Sequence, residues 1–263
     1  MLIKWVGSKA RLASNILARL APFDDYVEPF LGGGSIFFAL ATAGRITRAR
    51  LSDANPHLIR MYEGVRDQPE AVVRALNAHR DQHSAAHYYA IRQTPPEDLA
   101  EAAAWFLYLN RAGFNGLWRT NRAGAYNVSW GKRDAVADLS EAILGASRLL
   151  QGATLRCEPW TAALRDVGPG AAVYADPPYI PLTASRSFTG YTGDGFPGEE
   201  QAALRDRLLE LARGGVQVVA SNSAAPVALE LYADFHTELI PVKHSVSASG
   251  ASRGAVNELL AWL

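Results

Sequence analysis

The chain holds one cysteine, Cys157, among its 263 residues. An intrachain disulfide and a cysteine-rich metal site are therefore excluded, and a reducing cytoplasm is the simplest compartment. Cys157 reads as a small buried residue rather than a nucleophile. An excess of one charge is also missing, since 26 Lys and Arg balance 26 Asp and Glu. The totals thus lack the basic footprint that polyanion binding usually leaves. No apolar run reaches membrane-spanning length, and Met1 to Gly7 lacks the apolar core of a secretory signal. Two nucleotide-binding motifs are absent as well. There is no Gly-Lys-Ser/Thr phosphate loop, and Ile36 and Phe37 stand where the spacing G-x-G-x-x-G would have to continue. A dinucleotide therefore fits poorly.

The charges that are present are unevenly placed. Residues 1–20 contain Lys4, Lys9, Arg11 and Arg19 and no acid; residues 105–133 contain Arg111, Arg119, Arg122, Lys132 and Arg133 and no acid. Two acid-free segments in a neutral chain are what a localised phosphate-facing surface looks like.

The element pattern is that of an α/β chain with an insertion. Tyr26 to Phe30 reads as a strand, Ser35 to Leu40 as an apolar helix capped by Ser35, and Ile46 to Ser52 as a second strand. Beyond His57 helical spacing takes over, over Leu58 to Val65, Glu70 to His79 and Asp98 to Leu109, broken by a glycine- and asparagine-rich loop from Asn110 to Asn127. Strand and helix then alternate again, with strands at Ala171 to Ala175 and Val216 to Ser221 and a helix from Glu199 to Arg213. Asn257 to Leu263 is open between strand and helix. This predicts a mostly parallel sheet built from residues 1–56 and 152–263, with residues 57–151 as an inserted helical domain.

Two turns carry the chemistry. The first is Leu31-Gly32-Gly33-Gly34, which leads from a strand into a helix whose first amides are free donors. Asp53 lies 21 residues beyond Gly32, where a nucleotide-binding βαβ unit holds a ribose hydroxyl pair. The second is Asp176-Pro177-Pro178-Tyr179, at the end of a predicted buried strand. Its prolines fix two φ angles and remove two backbone donors. A carboxylate, carbonyl oxygens and an aromatic face remain, a set suited to an amino group on a flat ring.

Taken together, these pieces resemble the Dam-type adenine-N6 DNA methyltransferases, the alpha group of the D12 class. Lys4-Trp5-Val6-Gly7-Ser8-Lys9 is similar to that family's amino-terminal motif. Glu28-Pro29-Phe30-Leu31-Gly32-Gly33-Gly34-Ser35 resembles its methyl-donor loop, and Leu51-Ser52-Asp53-Ala54-Asn55 its ribose-binding segment. Leu107 to Arg119 resembles its DNA-recognition loop, and Asp176 to Tyr179 its catalytic turn. The resemblance implies a Rossmann-like methyltransferase fold, with the inserted helical domain recognising the target. It implies S-adenosylmethionine as methyl donor, held by Trp5, Lys9, Pro29, Phe30, Gly32, Gly34, Asp53 and Asp176. It implies an adenine in double-stranded DNA as acceptor, with no metal, and a monomer.

The resemblance further implies that Lys4 and Arg119 reach base edges. Arg111, Leu117, Ser129, Lys132 and Arg133 complete the DNA-facing set. Phe114 stands where the family has a wedging tyrosine, and Asn115 fills the gap left by the extruded base. Asn127-Val128-Ser129-Trp130-Gly131-Lys132-Arg133 replaces Asn-Val-Pro-Phe-Gly-Arg-Tyr, so a base-facing proline is Ser129 and a tyrosine is Arg133. GATC is the favoured target. Three rivals stay open: a methyltransferase acting on another planar amine (cytosine N4, RNA adenine or a glutamine side chain), a non-catalytic DNA-binding relative, and a nucleotide-dependent oxidoreductase.

Other features are weaker. His79, His83 and His87 recur at four-residue spacing but lack a further acidic ligand motif, so a solvated helix face is the better reading. Ile180 to Gly198, with four glycines and three aromatics, reads as a lid over the extruded base or a plain surface loop. Trp118 and Trp130 fall in the basic loop, near where DNA would lie.

Overall fold

The structure, a computed structural model, describes residues 2–121, 123–182, 196–243 and 255–263. The strands among these residues are β1 (Asp25–Glu28), β2 (Ala49–Asp53), β3 (Ala153–Cys157), β4 (Ala171–Ala175), β5 (Gln217–Ser223), β6 (His236–Lys243) and β7 (Ala255–Trp262). They form one sheet in the order β3-β2-β1-β4-β5-β7-β6. β1 pairs in parallel with β2 and β4, and β4 with β5, whereas β7 is antiparallel to β5 and β6. The register sets Tyr26 opposite Ala49 on one side and Ala172 on the other. The chain leaves β1 towards β2 and later returns to β4 on the opposite flank. That reversal is the switch point at whose carboxyl edge open α/β sheets bind ligands.

The helices are α1 (Ala13–Leu17), α2 (Ser35–Thr42), α3 (Pro56–Asp67), α4 (Pro69–Asp81), α5 (Ala85–Ile91), α6 (Leu99–Ala112), α7 (Ser140–Leu150), α8 (Trp160–Ala163), α9 (Gly198–Arg213) and α10 (Pro226–Leu231). The chain divides into two compact units. One comprises Met1–Ala10, Leu31–Gly44 and Ser52–Glu158; the other comprises Arg11–Phe30, Arg45–Leu51 and Pro159–Leu263.

In the first unit α3, α4, α6 and α7 pack on one another. Pro56 opens α3, and the Asn55 side chain accepts from the amides of His57 and Leu58. Asp98 caps α6 through the Glu101 amide. These are the start signals expected of a helix: a fixed φ at its first position and an oxygen for its orphan donors. Close approach of α3 to α6 needs small residues, since a Cβ at Gly64 would stand 2.6 Å from that of Ala103.

In the second unit Val27, Val173, Val218 and Leu259 pack with Leu204, Leu208 and Leu211 of α9. β4 is buried along its whole length, as a central parallel strand covered on both faces must be.

The structure corrects several sequence-based boundaries. The second strand starts at Ala49 rather than Ile46, and the undecided last segment is a strand. Ser35 does not cap α2. Gly34 holds the cap position at φ +64°, and Ser35 Oγ lies 2.8 Å from Ser8 Oγ. Cys157 is exposed rather than buried, because β3 is an edge strand with only two of its residues inward. No helix among the described residues is long and apolar enough to cross a membrane. Of the expected lid, Ile180 to Gly198, residues 183–195 lie outside the described residues.

Candidate active site

In the first unit the glycine turn and Asp53 are joined directly. The Gly32 amide donates to Asp53 Oδ2 at 2.9 Å, and the Asn55 amide to Oδ1 at 2.9 Å. Leu31 N reaches Ser52 O, and the Tyr62 hydroxyl donates to the Gly32 carbonyl at 3.0 Å. Gly32 needs to be glycine for two reasons. Its φ is +47°, and a Cβ there would stand 2.8 Å from Trp5 Nε1. The backbone thus passes right against an indole face, while α2 begins with no side-chain cap. Burial pushes the Asp53 carboxyl above its ordinary value, against the pull of the Gly32, Asn55 and Ala54 amides. Lys9 is buried and donates from Nζ to the Gly7 carbonyl. Trp5 stacks on Phe106, with centroids 6.3 Å apart. The expected donor-side residues Trp5, Lys9, Gly32, Gly34 and Asp53 therefore lie in one unit. Pro29 and Phe30 belong to the other, where Phe30 meets Phe196 edge-on at 5.7 Å.

In the second unit the turn Asp176 to Tyr179 leaves the carboxyl end of β4. Ser221 on β5 donates from Oγ to Asp176 Oδ1 at 2.7 Å. That bond uses the only proton on Ser221, so in the neighbouring 2.8 Å contact Tyr174 is the donor and Ser221 the acceptor. Burial, with the Asp176 charge nearby, holds the Tyr174 phenol well above its ordinary value and keeps that proton in place. Tyr26 donates to Glu28 Oε2 at 2.8 Å and is raised in the same way, by burial first and then by Glu28.

The backbone of the turn is clamped after its second proline. Gln201 Nε2 donates to the Pro178 carbonyl at 2.7 Å, Ile180 N donates to Asn222 Oδ1 at 3.1 Å, and the Ser223 hydroxyl donates to the Ile180 carbonyl. Asn222 Nδ2 in turn holds Gln201 Oε1 at 3.2 Å. Tyr179 donates to Glu258 Oε2 at 2.7 Å.

The DNA-facing candidates gather on one loop of the first unit. Asn110, fully buried, accepts from Lys4 N at 2.9 Å and donates to Lys4 O at 2.8 Å and Gly116 O at 3.0 Å. It ties the amino-terminal segment to the loop. Phe114 is 53% exposed, and Asn115 takes the left-handed φ of +54°. Asn115, Arg119, Ser129, Lys132 and Arg133 are exposed, while Lys4, Arg111 and Leu117 are half-buried. Arg119 Nε holds Asn127 Oδ1 at 2.8 Å, and Phe114 N holds Ser129 O at 2.9 Å. Lys4, Arg111 and Arg133 form a cluster of like charge. Burial, then Arg133 and Arg111, pushes the Lys4 amine down, and burial with Arg133 pushes Arg111 down.

Other basic and aromatic residues of the acid-free segments have structural partners. Arg19 pairs with Glu238 and lies 4.3 Å over the Trp262 ring. Trp118 packs on Phe106 at 4.0 Å. Of the histidines, His79 Nδ1 lies 3.0 Å from His87 Nε2, and His83 reaches the Tyr108 hydroxyl at 2.8 Å. Among the described residues no three His, Cys, Asp or Glu are placed to hold a metal ion.

The motif turns were readable from sequence. Ser221, Gln201 and Glu258 were not, because they are ordinary polar residues whose partners lie elsewhere in the chain. A polar Ser-Asn-Ser at the end of an apolar strand, Ser221 to Ser223, was the one available signal.

The model of the D12 class N6 adenine-specific DNA methyltransferases matches residues 5–247. The chain belongs to this family. It is 34% identical over 268 residues to the type II methyltransferase M1.LlaDCHI of Lactococcus lactis subsp. cremoris, covering 98% of this chain and 93% of that protein. It is 32% identical over 263 residues to the DNA adenine methylase of Escherichia coli strain K12, covering 98% and 93%. The DNA N-6-adenine-methyltransferase of Escherichia phage P1 is 35% identical over 274 residues; the match spans all of this chain but 35% of that longer protein. The chain is thus an adenine-specific DNA methyltransferase with a mostly parallel, Rossmann-like sheet.

Proposed function

We propose that this methyltransferase takes its methyl group from S-adenosylmethionine and places it on N6 of an adenine flipped out of double-stranded DNA, within GATC. It acts as a monomer in the cytoplasm, with residues 57–151 as its target-recognition domain. The donor fits the residues present. Asp53 is a carboxylate fixed by two amides, with acceptor capacity left for a ribose diol. The left-handed Gly32 and Gly34 keep side chains out of the loop beside Trp5. S-adenosylmethionine supplies a sulfonium methyl, which needs no metal to depart.

A base within a duplex must be extruded before its amine is reachable, at a cost of about a few kcal/mol. Phe114, exposed on a loop rich in Lys and Arg, offsets that cost by stacking in the opened duplex. The flipped adenine stacks on Tyr179, and its N6–H bonds point to Asp176 and to the Pro177 carbonyl. The Pro178 carbonyl already accepts Gln201 Nε2, which leaves the Pro177 carbonyl as the acceptor with its lone pairs to offer. These acceptors draw the nitrogen lone pair out of ring conjugation as charge develops. Asp176 takes the proton released as the new N–C bond forms. Most of the acceleration comes from holding two substrates in line.

The observation that carries this reading is the buried Tyr174–Ser221–Asp176 chain, which fixes a carboxylate at the carboxyl edge of the switch-point strand. The test is sequencing of modified bases in DNA from cells expressing the chain. N6-methyladenine in GATC is expected, and none with Asp176→Ala. Absence of methyladenine from the wild-type culture sinks the proposal; methyladenine at another site sinks only GATC.

A further inference from the structure

Glu258 has no part in the chemistry described so far, yet it is costly to keep where it is. It sits on β7, paired with Ser223 of β5 and Ile240 of β6, and is 8% exposed. A buried carboxylate beside Leu259, Leu260 and Ala261 on the same strand loses solvation that an apolar residue would not. Its Oε2 accepts the Tyr179 hydroxyl at 2.7 Å. The phenolic oxygen lies on the long axis of the ring, opposite Cβ. The Cβ end is already fixed, because the neighbouring peptide groups are held by Gln201, Asn222 and Ser223. The hydroxyl bond to Glu258, with the Ser221 side chain beside the same hydroxyl, fixes the other end. A ring held at both ends of its long axis keeps its position when a base arrives.

We propose that Glu258 is a positioning residue for methyl transfer: through the Tyr179 hydroxyl it sets the ring on which the target adenine stacks, and so aims N6 at the methyl group. This rests on the function proposed for the turn. Misplacement by about 1 Å in a bimolecular displacement costs up to about a hundredfold in rate, so loss of the tether falls on kcat rather than on binding.

The experiment uses the full chain, a duplex carrying the target site and S-adenosylmethionine. Glu258→Ala lowers kcat about tenfold while both KM values stay within about twofold. Glu258→Gln, which keeps an acceptor oxygen, recovers most of that loss. Tyr179→Phe removes the tether from the other side and shows the same loss, and the double variant is no slower than the slower single one. With 2-aminopurine at the target position, Glu258→Ala still gives the fluorescence rise of flipping but quenches the extruded base less than wild type does.

Wild-type kcat in Glu258→Ala, or losses that multiply in the double variant, overturns the proposal. Should Glu258→Ala fail to fold, wild-type kcat in Tyr179→Phe overturns it equally. Wild-type turnover in Tyr179→Ala is a different result, because it removes the stacking role of the turn itself.

Discussion

Asp53 and Asp176 share a functional group and differ in what surrounds it. Both oxygens of Asp53 accept backbone amides, from Gly32 and Asn55. An asparagine there would turn an NH2 against one of those N–H groups. Asp53→Asn is therefore not conservative. It should weaken S-adenosylmethionine binding by at least about tenfold, the worth of a charged hydrogen bond, as read by calorimetry. Unchanged affinity would remove Asp53 from the donor site. Asp176 instead accepts a side-chain hydroxyl at the end of a buried chain. Asp176→Ala should abolish turnover and keep most of the DNA affinity, because it removes an acceptor for the amine and no phosphate contact. Retained turnover in a gel-free methyl-incorporation assay would contradict that assignment.

At the level of elements, two local arrangements carry testable consequences. Gly116 takes φ +67°, and a Cβ would stand 2.6 Å from Lys4 Cβ. Gly116→Ala should push the amino-terminal segment off the loop and lower DNA affinity with donor binding intact; equal DNA affinity would refute the coupling. The second arrangement joins α4 to α5. His79 and His87 share a contact that requires one donor and one acceptor nitrogen. Burial, then His87, pushes His79 down to about 4, below the value of about 6.5 for a free histidine. Between these values the unfolded chain binds a proton that the fold rejects. The stability is thus fully present above about pH 6.5 and falls as pH drops towards 4. The melting temperature should decline more between pH 7 and pH 5 in wild type than in His79→Phe. Equal declines would show that this histidine does not titrate in the window.

Elements were legible from sequence in proportion to how regular their burial is. β4, five buried residues between turn signals, was found at its true bounds, and α6 nearly so, although Asp98 is its cap rather than its first helical residue. β3 and β6 were missed. β3 is a short edge strand with only Ala153 and Leu155 inward, and His236 to Leu239 of β6 are exposed, so neither carries the apolar run of a buried strand. The cap of α2 was misassigned because serine outranks glycine as a cap by propensity, while here the turn needs a left-handed residue first. In the site, residues inside a recognisable motif were visible, Gly32, Asp53 and Asp176 among them. Partners outside any motif, such as Ser221, were not.

Over the whole molecule the net charge is zero, yet Lys4, Arg111 and Arg133 repel one another in one cluster. An anion there relieves that repulsion, so DNA affinity should depend steeply on salt despite the neutral total. If these three and the exposed Arg119 and Lys132 meet phosphates, log K should fall against log salt with a slope of about −3 to −5. Lys132→Ala should reduce the slope by about one. A flat dependence would mean that the basic loop faces something other than a duplex backbone.

β7 lies between two strands that precede it in the chain, and β6 reaches the sheet only through it. Side chains of a strand alternate between faces, so a slip of one residue in the β5–β7 ladder would send Glu258 to the far face. The pairing of Ser223 with Glu258 is then a sighting mark as well as a structural contact. An inserted or deleted residue in β7, even one that leaves the core filled, would cost the enzyme its aim.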